Sequence, residues 1–123
     1  DVYFSAFFDA DDTTNEAGKA FVDGFKAWVA EDNTRIENNG GTAEAISSVT
    51  PCGYDAYMAA VYAIEAANST EGSAIRDALA SLSVPGLITG DLSFDENGDA
   101  VKTYAVIKTI KDGQIVYFST YNG

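Results

Sequence analysis

Hydrophobic positions along this chain follow three successive spacings, and each spacing points to a different kind of element. The first run, Val2-Tyr3-Phe4-Ser5-Ala6-Phe7-Phe8, is almost wholly apolar and is closed by Asp9-Ala10-Asp11-Asp12. A short apolar run ended by turn residues predicts a buried strand over 2–8 that passes into a polar loop. Apolar side chains then recur as Phe21, Phe25, Trp28 and Val29, at i, i+4, i+7 and i+8. That spacing predicts a helix over about 15–31. Thr13 and Glu16 stand at capping-box spacing before it, and Gly24 weakens it modestly.

Residues 32–49 carry little periodicity. Glu37-Asn38-Asn39-Gly40-Gly41-Thr42 has the composition of a loop, and Ala43 to Ser48 suggests a short helical turn. Thr50-Pro51 then offers an N-cap hydroxyl and a proline at the first helical position. Tyr54, Tyr57, Met58, Val61 and Ile64, with six alanines among them and beyond, predict a helix to about Ala67. So many alanines let this helix approach its neighbours closely, which marks it as central. Asn68-Ser69-Thr70 closes it and opens a third helix over about 71–82, with Ile75, Leu79 and Leu82 as its stripe.

After the Pro85-Gly86 turn the spacing changes to two. Residues 87–94 read as extended, Asp95-Glu96-Asn97-Gly98-Asp99 as a turn, and 101–110 with 114–121 as a hairpin closed at Lys111-Asp112-Gly113. The order is strand, three helices, then C-terminal β-hairpins. It predicts an α/β fold, a mixed sheet with helices packed on it, with no boundary splitting residues 1–123.

Composition narrows the functions available. At 123 residues and 46% hydrophobic, the chain can bury a core. Its 7 basic and 19 acidic residues leave a net charge of -12, which repels phosphate backbones and anionic lipid. With no histidine, the chain cannot build a Ser-His-Asp triad, a Cys-His dyad or a His-ligated zinc site. Cys52 is alone and cannot form an internal disulfide. The expectation is a protein that is not an enzyme and holds neither cofactor nor metal. The start within a strand at Asp1-Val2-Tyr3-Phe4, with no initiator Met, signal peptide or membrane-crossing run, reads as a fragment or excised domain.

Several blocks in order resemble a known family. Cys52-Gly53-Tyr54-Asp55-Ala56-Tyr57 opens an alanine-rich helix ending Ala63-Ile64-Glu65-Ala66-Ala67-Asn68-Ser69-Thr70. Ala74-Ile75-Arg76-Asp77-Ala78-Leu79 and Gly90-Asp91-Leu92-Ser93-Phe94-Asp95-Glu96-Asn97-Gly98-Asp99 follow, then Val106-Ile107-Lys108 and Lys111-Asp112-Gly113. Upstream, Tyr3-Phe4-Ser5 and Gly18-Lys19-Ala20-Phe21-Val22-Asp23-Gly24-Phe25-Lys26 fit the same register. Together these resemble the C-terminal portion of the branched-chain amino-acid-binding proteins, which are type I periplasmic binding proteins. The sequence departs from that pattern over 32–50, where the connection is longer and Asn-rich.

The resemblance implies a fragment of a two-lobed receptor that closes on a small amino-acid-like ligand by hinge motion and docks on an ABC permease. It implies an extracellular or periplasmic location, with membrane anchoring through a region N-terminal to this sequence. It also implies that most of both lobes is missing here. An isolated fragment of this kind is expected to hide its uncovered apolar surface in a homodimer or domain swap.

Each candidate residue has a plain structural reading beside the functional one. Tyr54 stands where the family places an aromatic residue facing the cleft, so its ring can cover a ligand side chain; the alternative is core packing. Asp55 can hold an ammonium group, or simply favour the first turn of its helix through the dipole. Phe7 and Phe8 end the first strand, the end at which open sheets bind ligands, and Phe8 is the candidate ligand contact of the pair. Asp9, Asp11 and Asp12, and separately Asp95, Asn97 and Asp99, superficially suggest calcium loops. Position twelve of each falls on Ala20 or Val106 instead of Glu, so both read as solvated turns. Cys52 reads as a small buried residue. Two further functions stay open at this point. One is a ligand-sensing domain of the same fold. The other is a hydrolase using paired carboxylates, against which the acidic residues fall mainly in turns and on exposed faces.

Overall fold

The computed structural model describes residues 2–122; Asp1, at the start of the sequence, lies outside them. Strand β1 spans Tyr3–Ala6, followed by helices α1 (Glu16–Ala30), α2 (Asn33–Asn38), α3 (Thr50–Ala67) and α4 (Gly72–Ala80). Three short strands follow, β2 (Ser83–Val84), β3 (Leu92–Phe94) and β4 (Ala100–Val101), joined in one antiparallel sheet. The long strands β5 (Tyr104–Lys111) and β6 (Gln114–Asn122) form a second antiparallel sheet, ordered β1-β5-β6.

The three expected helices are present with ends shifted by a residue or two. Their caps differ from the sequence reading. Asn15, not Thr13, caps α1, accepting from the Gly18 amide at 2.8 Å. Thr14 is instead turned toward Asp12, whose Oδ1 accepts both its amide and its hydroxyl. Thr50 lies inside α3; Val49 is its cap and makes no side-chain bond, while Pro51 sits in the first turn. Asn68 ends α3 in the left-handed region at φ 46°.

Residues 32–49 hold a helix that periodicity missed. Asp32 caps α2, accepting from the amides of Thr34 and Arg35, and Arg35 lies 4.3 Å above the Trp28 ring while donating to the Trp28 carbonyl. Local capping and one cation–π contact therefore make this helix, and no apolar stripe announces it. Ala43–Ser48 is irregular rather than helical.

Every strand pair among the described residues is antiparallel, so the expected mixed sheet resolves into two separate antiparallel ones. Tight connections account for two of the pairings. Asp112 and Gly113 both have positive φ (52° and 78°), the backbone of a two-residue type I′ hairpin between β5 and β6. Asp95 accepts from the Asn97 and Asp99 amides and turns β3 into β4. Residues 87–91, expected to be extended, form a turn closed by Gly90 N–H to Leu87 O at 3.0 Å.

Two small cores hold the helical part. Ala59, Val84, Leu87 and Leu92 pack with Met58, Tyr62, Leu79, Leu82 and Phe94. Phe8, Val22 and Ile88 pack with Phe21 and Ile46. The buried stripe of α1 is Gly18, Val22 and Val29, while Trp28 is 51% exposed. Gly18 decides that rotation. A Cβ there would lie 2.8 Å from the Phe8 ring, so only glycine lets β1's end reach this face of α1.

Candidate functional site

Adjacent residues near the start of α3 point in different directions, as a helical step of roughly 100° requires. Tyr54 is 47% exposed and turns toward α1, where its ring centre lies 5.7 Å from that of Phe21. Phe21 in turn meets the edge of Phe8, with centres 6.4 Å apart, and stacks on Phe25. Between α1 and α3 lies an apolar groove of about 540 Å³, lined by Phe21, Gly24, Tyr54 and Met58 and by Leu87 and Ile88 of the following turn, among others.

Asp55 turns inward and is 3% exposed. Its Oδ1 accepts from the Ile88 amide at 3.0 Å; its Oδ2 accepts from the Thr89 amide at 2.9 Å and the Thr89 hydroxyl at 2.6 Å. Lys102 Nζ lies 3.9 Å from Oδ2 and donates to Thr89 Oγ1 at 2.9 Å and to the Gly90 carbonyl. The carboxylate thus pins the 87–90 turn to α3, and the partly exposed lysine compensates its charge.

The Phe7–Phe8 pair divides. Phe8 is 2% exposed and belongs to the core behind Phe21, whereas Phe7 is 59% exposed. Both residues lie past the end of β1 at Ala6, where the chain enters the loop to α1. Phe7 borders a second cavity of about 600 Å³ with Ala56, Ala59, Ile75, Leu79 and Phe94 on its apolar walls. Cys52 opens on the same cavity, and burial, with the nearby Asp55 charge second, raises its thiol pKa. The group is therefore a thiol at neutral pH and a poor nucleophile.

The first acidic cluster is not a solvated turn. Asp9 and Asp12 are 6% and 4% exposed. Asp9 Oδ2 pairs with Lys108 Nζ at 2.6 Å and its Oδ1 accepts the Asp11 amide. Asp12 Oδ2 accepts from the Tyr104 hydroxyl at 2.8 Å and the Thr120 hydroxyl at 2.9 Å. Burial alone raises the Asp12 pKa, yet the hydrogen bonds from Thr14, Tyr104 and Thr120 outweigh it and leave a net lowering. Its partner moves the other way: burial, reinforced by the Asp12 hydrogen bond, pushes Tyr104 up to about 12. The second cluster is the expected exposed turn around Asp95, whose pKa is lowered by the Asp99 and Asn97 amides. No group of His, Cys, Asp or Glu among the described residues could hold a metal ion.

Sequence reasoning did not find Lys102, Thr89, Tyr104 or Thr120 as partners of these carboxylates. They stand 34 to 108 residues from the carboxylates they partner. The available signal was Gly90, whose φ of +85° and absent Cβ, which would sit 2.6 Å from Tyr104 Cβ, let β5 close against the turn.

Comparison with known proteins identifies the family and the fold. The family described as "receptor family ligand binding region" matches residues 3–112. Among solved structures, the leucine binding protein LivK from Thermotoga maritima MSB8 is similar, at 26% sequence identity and a TM-score of 0.64. The match covers 98% of this chain and 31% of that one, so the chain spans about a third of its relative's length. No curated protein matches significantly. With the family matched along most of its length and the fold shared with a leucine-binding protein, this chain belongs to the receptor ligand-binding-region family and has the type I periplasmic-binding-protein fold.

Proposed function

We propose that this chain is part of an extracellular or periplasmic receptor that binds an amino acid or similar small solute and hands it to the permease of an ABC uptake system. The observation that carries this reading is the likeness to a leucine-binding protein along 98% of the chain. The site fits an apolar side chain: a half-exposed Tyr54 ring over a groove walled by Phe21, Met58 and alanines. Such sites are mostly apolar, with a few polar groups that fix orientation.

Within this reading Tyr54 covers the ligand's side chain and Phe8 backs the Phe21 ring beside it. Asp55 shapes the site by holding the 87–90 turn, its oxygens already engaged by the chain's own donors. Any aromatic contact from the end of β1 comes from Phe7, the exposed member of its pair. Tyr54→Ala in the complete receptor tests the proposal by titration calorimetry with leucine. Loss of the ring's apolar contact weakens binding by about 1–3 kcal/mol, roughly 5- to 150-fold. Unchanged affinity would remove Tyr54 from the site.

A further inference from the structure

The chain passes between the helical part and the β1-β5-β6 sheet twice, at residues 7–15 and at 102–103. Every side-chain hydrogen bond or ion pair that β5 and β6 send toward the helical part, among the described residues, ends on the first of these, at Asp9 or Asp12. Asp12 is the better connected. Its Oδ1 takes the Thr14 amide at 2.9 Å and hydroxyl at 2.6 Å, while its Oδ2 takes Tyr104 and Thr120 from neighbouring strands. Three residues on, Asn15 grips the other side, donating Nδ2 to the Ile88 carbonyl at 2.8 Å while its Oδ1 caps α1.

We propose that Asp12 is a positioning residue that sets the angle between the β1-β5-β6 sheet and the helical part. One carboxylate is divided between them: one oxygen is held by its own loop and the other by two strands. Swinging the sheet away strips a buried carboxylate of two hydroxyl donors, and buried charge left without partners is costly. The Tyr104 side chain also packs against Gly90, close to the space that a Cβ there would have occupied. The cluster therefore favours one orientation without needing a broad interface. In the receptor proposed above, on which this consequence rests, the angle between the two parts controls how far the cleft opens.

Pulsed electron–electron resonance between spin labels tests the assignment. Labels at exposed Ser73 on α4 and Gln114 at the hairpin, introduced as Ser73→Cys and Gln114→Cys in a Cys52→Ala background, report the distance between the two parts. The parent should give one narrow distribution. Tyr104→Phe combined with Thr120→Val removes the two sheet-side hydroxyls, keeps side-chain shape and leaves the Thr14 bonds in place. It should broaden the distribution or move its maximum, as hinge motion between the two parts does. Thr14→Val removes only a loop-side hydroxyl and should leave the distribution as in the parent. If the double variant keeps the parent distribution, or if Thr14→Val moves it equally, the proposal is overturned. Asp12→Ala should reproduce the double variant. The distances are read without ligand, so the result stands apart from any failure of the complete receptor to bind leucine.

Discussion

Replacing Asp55 with alanine should be among the most destabilising single changes in this chain, although the residue makes no chemistry of its own. The substitution leaves the Ile88 and Thr89 amides and the Thr89 hydroxyl without their acceptor, and leaves Lys102 beside an empty site. Hydrogen bonds to a charged group contribute about 1.5–3 kcal/mol each, but losses within one cluster overlap. Breaking a buried ion pair from one side costs about 3–5 kcal/mol. Both arguments lead to a loss of about 3–5 kcal/mol, a large share of the 5–15 kcal/mol that typically holds a domain. Asp55→Asn keeps the shape and one acceptor but turns an NH2 toward a donor, so it should cost less, about 2–3 kcal/mol. Equilibrium urea unfolding by circular dichroism checks both values, and the neighbouring Tyr54→Ala serves as reference because its ring is half exposed. A loss below about 1 kcal/mol for Asp55→Ala would mean that solvent replaces the carboxylate readily and the buried-staple argument is wrong.

Other consequences are equally measurable. Gly90→Ala should lower Tm, since its φ of +85° and the 2.6 Å approach to Tyr104 both oppose a side chain; about 2 kcal/mol or more is expected from such backbone strain, and an unchanged Tm would contradict it. Asp12 has a pKa below the usual 3.8, so the unfolded chain binds its proton first; its contribution is fully present above 3.8 and is lost as pH falls through the lower native value. Urea midpoints should thus fall more steeply below that pH in the parent than in Asp12→Asn. Tyr104 is shifted from 10.0 up to about 12, so its contribution is intact below 10 and disappears as pH rises through 12, which an alkaline phenolate titration compared with Tyr104→Phe should show. The 123-residue chain alone should bind leucine more weakly than about 1 mM and should self-associate through its uncovered apolar surface; calorimetry and light scattering would refute this with a tight-binding monomer.

How far the sequence could be read depends on the range of the forces involved. Helices α1, α3 and α4 were visible because their stripes recur within a few residues, and the β5–β6 hairpin because Asp112-Gly113 is a local turn signal. Helix α2 was invisible because Asp32 and Arg35 make it, not an apolar face. The rotation of α1 was misjudged because Gly18, which carries no hydrophobicity, admits Phe8. At the candidate site Tyr54 could be singled out by its place near a helix start, together with the family resemblance, which implies an aromatic residue there. Which of Phe7 and Phe8 faced inward could not be read, since the strand ends at Ala6 and strict alternation ends with it. The two buried carboxylates of the β1–α1 loop looked like solvated turn residues because their partners, Lys108, Tyr104 and Thr120, are close only in space.

The fully buried polar residues among those described are Asp9, Asp12, Asp55 and Thr89, and they gather where the end of β1, the start of α3 and the 87–90 turn meet. Elsewhere the buried side chains are apolar. That concentration matters because an apolar set of similar volume could stabilise the same contacts at lower desolvation cost. Carboxylates instead demand donors in particular directions, and here each one selects its partners: Lys108 for Asp9, two hydroxyls from the sheet for Asp12, and the turn amides for Asp55. Apolar packing supplies the cores of the helical part, while these directional bonds determine how the sheet and the 87–90 turn are placed against it. The Tyr54 groove shares this construction, since Leu87 and Ile88, which line it, belong to the turn that Asp55 holds. A change in Asp55 should therefore disturb the groove through Leu87 and Ile88, although Phe21, Tyr54 and Met58 make no hydrogen bond to the carboxylate.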